Sequence, residues 1–388
     1  MRAFEAPDFF DITSYLTEDQ KMIRDTLRQF VSKEVMPVIE KHHADGTFPT
    51  SLIPQLAEMG TLGATIQGYG CAGLDYTSYG LIMQELERGD SGVRSFVSVQ
   101  GALCMYPIAA YGTEEHKKKY LPEMAKGKLI GSFGLTEPDF GSNPGGMVTK
   151  FKKDGSHYVL NGTKRWITNG GVCGVAIVWG KNDEGKIVGF LVDRDTKGFH
   201  TRDIHNKFSL RASVTSELIF EDCRVPAANM LEVQGLKGPF GCLNNARYGI
   251  AWGALGSAMA CYDEALNYAK TRIQFDKPIA GFQLVQAKLV KMFTEITKGQ
   301  LIALHLGRLK DKGLAKPQHV SMAKMNNVSI ALDIARVARD ILGASGITNE
   351  YQVGRHMTNL ESVNTYEGTE DIHRLVLGEY ITGIPAYR

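Results

Sequence analysis

The hydrophobic pattern of this chain changes period twice, from helical to strand-like and back to helical. That order constrains the fold more than any other feature. A parallel α/β sheet needs strands and helices to alternate, and one block of strands between two helical blocks excludes it. At 388 residues the chain is long enough for two or three units with cores of their own. The expected class is a multidomain α+β protein, with a helical unit over 1–130, a β unit over 131–235 and a helical bundle over 236–388.

In the first zone Thr17, followed by Asp19-Gln20, marks a helix start, and Met22, Ile23, Leu27, Phe30 and Val31 recur at helical spacing. Tyr79–Glu87 and Glu114–Lys126 also read as helices. In the second zone Tyr158-Val159-Leu160 leads into Asn161-Gly162, which reads as a turn, with Lys164–Thr168 as the returning strand. Ile187–Val192 and Ser216–Phe220 are further short strands, and their spacing predicts a small sandwich or barrel. In the third zone Val285, Leu289, Met292, Phe293 and Ile296 form one apolar stripe, and Ile330, Leu332, Ile334, Ala335, Ala338 and Leu342 form another.

Charge excludes some functions. The net charge is +2, and the longest basic run, Lys117-Lys118-Lys119, reads as a solvated helix face, so no nucleic-acid surface is expected. Six scattered cysteines contain no CxxC pair, which fits a reducing compartment. His42-His43, His356 and His373 lack metal-ligand spacing and read as solvent-facing or satisfied, so no metal is expected. No segment has the length and apolarity of a membrane span, and the opening MRAFEAPDFFDITSYL lacks the form of a secretory leader. Gly68, Gly70 and Gly73 satisfy GxGxxG, but no strand precedes them and no βαβ unit surrounds them, so a surface loop is expected.

Four strings carry more information: Phe133-Gly134-Leu135-Thr136-Glu137-Pro138 with Gly141-Ser142, Arg165–Gly170, Thr271-Arg272-Ile273-Gln274-Phe275, and Asn364-Thr365-Tyr366-Glu367-Gly368-Thr369-Glu370-Asp371-Ile372. Alone, Glu367 reads as a loop acid. Together, in order and spacing, the strings resemble the acyl-CoA dehydrogenase family over nearly the whole chain. Glu85–Arg88, Ser91–Ser95, Phe240–Gly253 and Ile381–Tyr387 are similar to its glutaryl-CoA dehydrogenase branch.

The resemblance implies an N-terminal helical domain, a middle β-domain and a C-terminal four-helix bundle, assembled as a homotetramer. It implies FAD as cofactor, an acyl-CoA as substrate and an electron-transferring flavoprotein as electron acceptor. Glu367 would be the base that removes the α proton, its own N–H helping to polarise the thioester carbonyl. Arg94 stands in an otherwise small and apolar helical stretch, Val93 to Pro107. Read without context, it fits a buried ion pair or a snorkelling side chain as well as a function. By resemblance Arg94 and Ser95 hold a terminal carboxylate, with Glu87 and Tyr366 completing the network, and their presence implies decarboxylation to crotonyl-CoA.

The resemblance also places Phe133, Leu135, Thr136, Gly141 and Ser142 along the flavin pyrimidine and pyrophosphate, with Trp166 and Thr168 against the ring. For Trp166 a place in the β-domain core is a serious alternative. Arg272, Phe275 and Gln283 would reach FAD across a subunit interface, and Asp340, Gly343 and Thr369 would complete its contacts. Ser142, Asn244, Arg247 and Gly368 fall to the acyl-CoA; Arg247 and Arg272 also read as surface charges.

Ala344, Val93, Phe140 and Asn143 depart from the family pattern, and Ala246 leaves the alternative base position of some relatives without an acid. The competing readings are a branch member that stops at glutaconyl-CoA, a dehydrogenase of another short acyl-CoA, an oxidase, and a nucleic-acid-binding protein of this fold. The family's place is the bacterial cytoplasm or the mitochondrial matrix, in breakdown of lysine, tryptophan or aromatic compounds.

Overall fold

A computed structural model describes residues 4–386, so Met1 to Ala3, Tyr387 and Arg388 lie outside the described residues. The first helix, α1 (Glu18–Phe30), starts at Thr17 with a reciprocal capping box, Thr17 accepting from Gln20 N and Gln20 accepting from Thr17 N. A π-helical stretch, Val31–Val35, joins it to α2 (Met36–Asp45). Leu27, Phe30 and Val31 face the core, whereas Met22 is 62% exposed and falls off the buried stripe.

After α3 (Ile53–Glu58), residues 67–75 form an exposed loop containing Gly68, Gly70 and Gly73, with no strand before it. The loop ends at Asp75, which caps α4 (Tyr76–Gly89). Every residue of α4 after Tyr76 is buried. A single extended residue, Asp90, separates α4 from α5 (Ser91–Ser98), and a second π-helical stretch, Val99–Met105, leads into α6 (Tyr106–Tyr111) and then α7 (Glu114–Ala125).

The middle of the chain supplies eight strands: β1 (Gly131–Gly134), β2 (Lys150–Asp154), β3 (His157–Thr168), β4 (Val175–Lys181), β5 (Ile187–Asp193), β6 (Phe199–Asp203), β7 (Thr215–Pro226) and β8 (Met230–Gln234). They follow the path β6-β7-β3-β2-β4-β5-β8, with β1 parallel to β4. Phe151, Phe190, Phe199 and Phe220, from distant points of that path, share one core, so the sheet wraps around its own apolar face.

The turn expected at Asn161-Gly162 is absent. β3 runs straight through it, and the chain reverses earlier, at Gly155-Ser156, where Asp154 pairs with His157. Asn161 instead exchanges side-chain hydrogen bonds with Asp222 of β7 (2.9 and 3.1 Å), beside a register shift between Leu160 and Gly162. The dipeptide serves a bulge rather than a hairpin. Glycine is needed at 162 because a Cβ there would lie 2.4 Å from Thr149 Oγ1.

The C-terminal helices are α8 (Lys237–Thr271), α9 (Gln283–Asp311), α10 (Pro317–Ile341), α11 (Val353–Thr365) and α12 (Glu370–Thr382). Between α8 and α9 lies a small hairpin, β9 (Ile273–Gln274) and β10 (Lys277–Pro278). Leu289, Met292 and Ile296 of α9, and Leu332, Ile334, Ala335 and Ala338 of α10, are buried as their spacing predicts. α8 and α10 join the N-terminal helices in one continuous core, which surrounds the site.

Candidate active site

Glu87 lies in the last turn of α4 and Arg94 in the first turn of α5. The break at Asp90 turns them toward each other. Asp90 caps α5 through Gly92 N (2.6 Å) and accepts from Arg355 Nη1 and Asn359 Nδ2 (both 2.9 Å), which fastens the break to α11. Arg94 Nε donates to Glu87 Oε2 at 2.6 Å, and Ser91 Oγ donates to Glu87 Oε1 at 2.9 Å. Both partners are essentially inaccessible, Glu87 at 0% and Arg94 at 1%.

Burial opposes the charge on Arg94, but Glu87, Tyr366 and Glu367 together outweigh it and raise the guanidinium pKa. Arg94 Nη2 donates to Tyr366 Oη, which also lies 3.2 Å from Ser95 Oγ. Burial pushes the Tyr366 phenol up to about 12, with Arg94 opposing. Nε and Nη2 of Arg94 are thus committed inside the protein, and among the described residues no group takes Nη1.

This closeness depends on α8. A Cβ at Gly253 would lie 2.1 Å from Glu87 Oε2, and one at Gly256 would lie 1.9 Å from Gln84 O. Two glycines one turn apart let α4 approach until Glu87 reaches Arg94.

Tyr366, Glu367 and Gly368 form the link between α11 and α12, and Thr369 caps α12 by accepting from Ile372 N (3.2 Å). Glu367 has φ of 54°, and Gly368 follows at 90°. A non-glycine residue held there costs about 1–3 kcal/mol and persists only when its surroundings fix it. The surroundings are cations: Arg247 Nε donates to Glu367 O (2.7 Å), and Lys324 Nζ donates to Tyr366 O (3.2 Å) and Gly368 O (2.8 Å). Residue 368 has no room for a side chain, since a Cβ would fall 2.9 Å from His373 Nε2.

Glu367 as a whole is half-buried, but its Oε2 is enclosed and has no hydrogen-bond partner. Burial raises its pKa, with Arg94, Arg247 and Lys324 pulling the other way. The result is a carboxylate with strengthened proton affinity and one oxygen unengaged, which suits proton abstraction from carbon.

A second group of sequence-selected residues has the opposite character. Trp166 sits at φ of 63° on a register break between Lys164 and Ile167 of β3 and is 55% exposed, so the core alternative for it is wrong. The Arg165 guanidinium lies 5.0 Å from its ring centre. Arg165 N donates to Thr136 O (2.9 Å), which sets the Leu135-Thr136 segment alongside. The loop beyond is tied down by Glu137, which accepts from Val148 N, Thr149 N and Lys164 Nζ at 2.7–3.0 Å. Gly141 and Ser142 are exposed at its outer end, Thr168 is half-buried, and Phe133 and Leu135 are buried.

Arg272, Phe275 and Gln283 cluster separately around the β9–β10 hairpin, all exposed, with Phe275 at its tip 87% accessible. Asp340 pairs with Lys288 at 2.5 Å, and Gly343 follows α10 at φ of 59°. Arg247 is no surface charge, being half-buried with its Nε committed to the Glu367 carbonyl; Asn244 is half-buried one turn earlier on α8.

Three family models match consecutive parts of the chain: the N-terminal domain of acyl-CoA dehydrogenase over residues 17–128, the middle domain over 132–223 and the C-terminal domain over 234–382. The chain belongs to the acyl-CoA dehydrogenase family. It is 36% identical over 376 residues to an acyl-CoA dehydrogenase of Bacillus subtilis (strain 168), covering 95% of this chain and 99% of the relative. It is 34% identical over 371 residues to a short-chain specific acyl-CoA dehydrogenase of Clostridium acetobutylicum, covering 93% and 97%. A glutaryl-CoA dehydrogenase from Mycobacterium smegmatis, solved in complex with FADH2, superposes with a TM-score of 0.97 at 50% identity, covering 99% of this chain and all of that one.

In this acyl-CoA dehydrogenase Lys324 carried no local signal of burial in the sequence: it lies within α10 between Ala323 and Met325, close to polar residues. The sequence reading also misread two histidines. His356 and His373 are wholly buried rather than solvent-facing, and burial drives the His373 pKa down to about 3. A neutral imidazole at 373 therefore packs beneath Gly368.

Proposed function

We propose that this protein oxidises glutaryl-CoA between its α and β carbons and then decarboxylates the product to crotonyl-CoA and CO2. One observation carries the reading. The buried Glu87–Arg94–Tyr366 array keeps one guanidinium nitrogen unengaged, and Tyr366 is the residue next to the enclosed carboxylate of Glu367. An acyl-CoA with an apolar tail needs no buried cation there, whereas a terminal carboxylate does.

The residues fit FAD. Trp166 presents a large exposed ring from a strained bulge beside Thr136, and Gly141 has open space where a Cβ would be. Phe133, Leu135, Thr136, Gly141, Ser142, Trp166 and Thr168 would hold it within the chain, with Asp340, Gly343 and Thr369. Arg272, Phe275 and Gln283 would reach the FAD of a neighbouring copy in a homotetramer. Bound FAD supplies the acceptor for the β hydride.

The protein's own groups do the rest. Arg94 and Ser95 anchor the far carboxylate, and Asn244, Ser142 and Gly368 border the CoA portion. The Glu367 N–H donates to the thioester oxygen, and Glu367 Oε2 receives the α proton. In the oxidised product the terminal carboxylate leaves as CO2, and the electron pair of the broken C–C bond delocalises toward the thioester as a dienolate. Glu367 returns its proton to the terminal carbon. Electrons leave to an electron-transferring flavoprotein.

Anaerobic mixing with glutaryl-CoA tests this, following flavin bleaching and CO2. Bleaching with stoichiometric CO2 is expected. Glutaconyl-CoA accumulating without CO2 removes the second half of the proposal, and bleaching by butyryl-CoA but not glutaryl-CoA removes the substrate.

A further inference from the structure

We propose that Lys324 is a positioning residue for the base, acting through the backbone on both sides of Glu367. Three consecutive carbonyls, those of Tyr366, Glu367 and Gly368, accept hydrogen bonds from just two cations. Lys324 takes the outer two from α10, and Arg247 takes the middle one from α8. Side chains from two different helices therefore fix the peptide planes around one carboxylate.

The consequence reaches the thioester. The Tyr366 carbonyl and the Glu367 N–H belong to one trans peptide unit and point in opposite directions. Holding that carbonyl on Lys324 aims the Glu367 N–H away from α10. A donor on the carbonyl also polarises the amide, most strongly while Lys324 is protonated, which strengthens its N–H. Lys324 thus both orients and sharpens the hydrogen bond that would polarise the thioester, without touching the substrate.

Its own situation suits this work rather than simple packing. Lys324 is 1% exposed and forms no ion pair among the described residues. Burying an unpaired ammonium is costly. Burial holds its pKa down to about 7, opposed by Glu367 and reinforced by Arg247 and Arg94, with Glu370 also opposing.

The inference rests on Glu367 being the base, and its test separates the two ideas. Lys324→Met and Lys324→Arg holoenzymes are compared with the native protein, using both glutaryl-CoA and butyryl-CoA. A third readout is exchange of the methyl hydrogens of acetyl-CoA with D2O, followed by NMR. Acetyl-CoA has no β C–H, so exchange reports proton transfer alone.

The expected result is a fall in kcat of a hundredfold or more for Lys324→Met, with KM within threefold and exchange slowed in parallel. Lys324→Arg should recover at least a tenth of the native rate. A kcat within threefold of native overturns the proposal, as does a slowed kcat with normal exchange. If the Met variant does not retain FAD, Lys324→Gln carries the same comparison, and a native kcat there also overturns it. A native protein inert toward glutaryl-CoA but active on butyryl-CoA breaks the substrate assignment and leaves the Lys324 comparison intact.

Discussion

The interior around Arg94 and Glu367 and the rim bearing Trp166 and Phe275 hold their functional side chains in opposite ways. In the interior nearly every polar group has a protein partner: Glu87 uses both oxygens, Arg94 two of its three nitrogens, and Lys324 two carbonyls. Among the described residues Glu367 Oε2 and Arg94 Nη1 are left free. On the rim large aromatic rings stand open, Trp166 at 55% and Phe275 at 87%, each on a left-handed backbone. The interior is held together within one chain and leaves those two atoms open. The rim is strained and largely open, which agrees with the proposed roles of its rings toward a cofactor and a neighbouring copy.

Substitutions can break that contrast. The largest effect should come from Glu367→Gln. Flavin bleaching should slow by about three to four orders of magnitude, with FAD still bound because the rim is untouched; stopped-flow absorbance checks this. Next is Arg94→Met. It should lower kcat/KM for glutaryl-CoA by about a hundredfold or more while sparing butyryl-CoA. It should also cost about 3–5 kcal/mol in urea unfolding, since Glu87 is left buried without its partner. Equal losses on both substrates would show that Arg94 serves the fold alone.

Gly253→Ala tests the close approach of α4 to α8. Its Cβ would meet Glu87 Oε2 at 2.1 Å, so a loss of about 1–3 kcal/mol is expected, together with weaker discrimination for glutaryl-CoA. A subtler effect concerns pH. Burial raises the folded-state pKa of Glu367 above its ordinary value. Ionisation therefore works against the fold, and the stability present at low pH is lost as pH rises through the raised pKa. Glu367→Gln should match the native protein in acid and melt higher at neutral pH, while native kcat/KM should fall as the carboxylate protonates. The smallest effect on stability should come from Trp166→Ala and Phe275→Ala. Each should change apoprotein unfolding by no more than about 0.5 kcal/mol, yet weaken FAD retention measured by flavin release. Marked destabilisation of the apoprotein would show that the rim is ordinary structure.

Sequence alone determined the order of helical, β and helical blocks, because burial of one helix face or one sheet face imposes its own period. It also singled out Arg94 as a lone charge in a small, apolar stretch, whereas Glu367, Glu87 and Tyr366 were reached only through the resemblance of whole strings to a family, since alone Glu367 reads as a loop acid. Asn161-Gly162 misled because a bulge and a hairpin draw on the same residues; only pairing with Asp222 distinguishes them. Lys324, His373, Gly253 and the exposure of Trp166 were decided by tertiary structure. Each depends on what another element places within a few ångströms, and distances between elements far apart in the chain are not written in any local pattern.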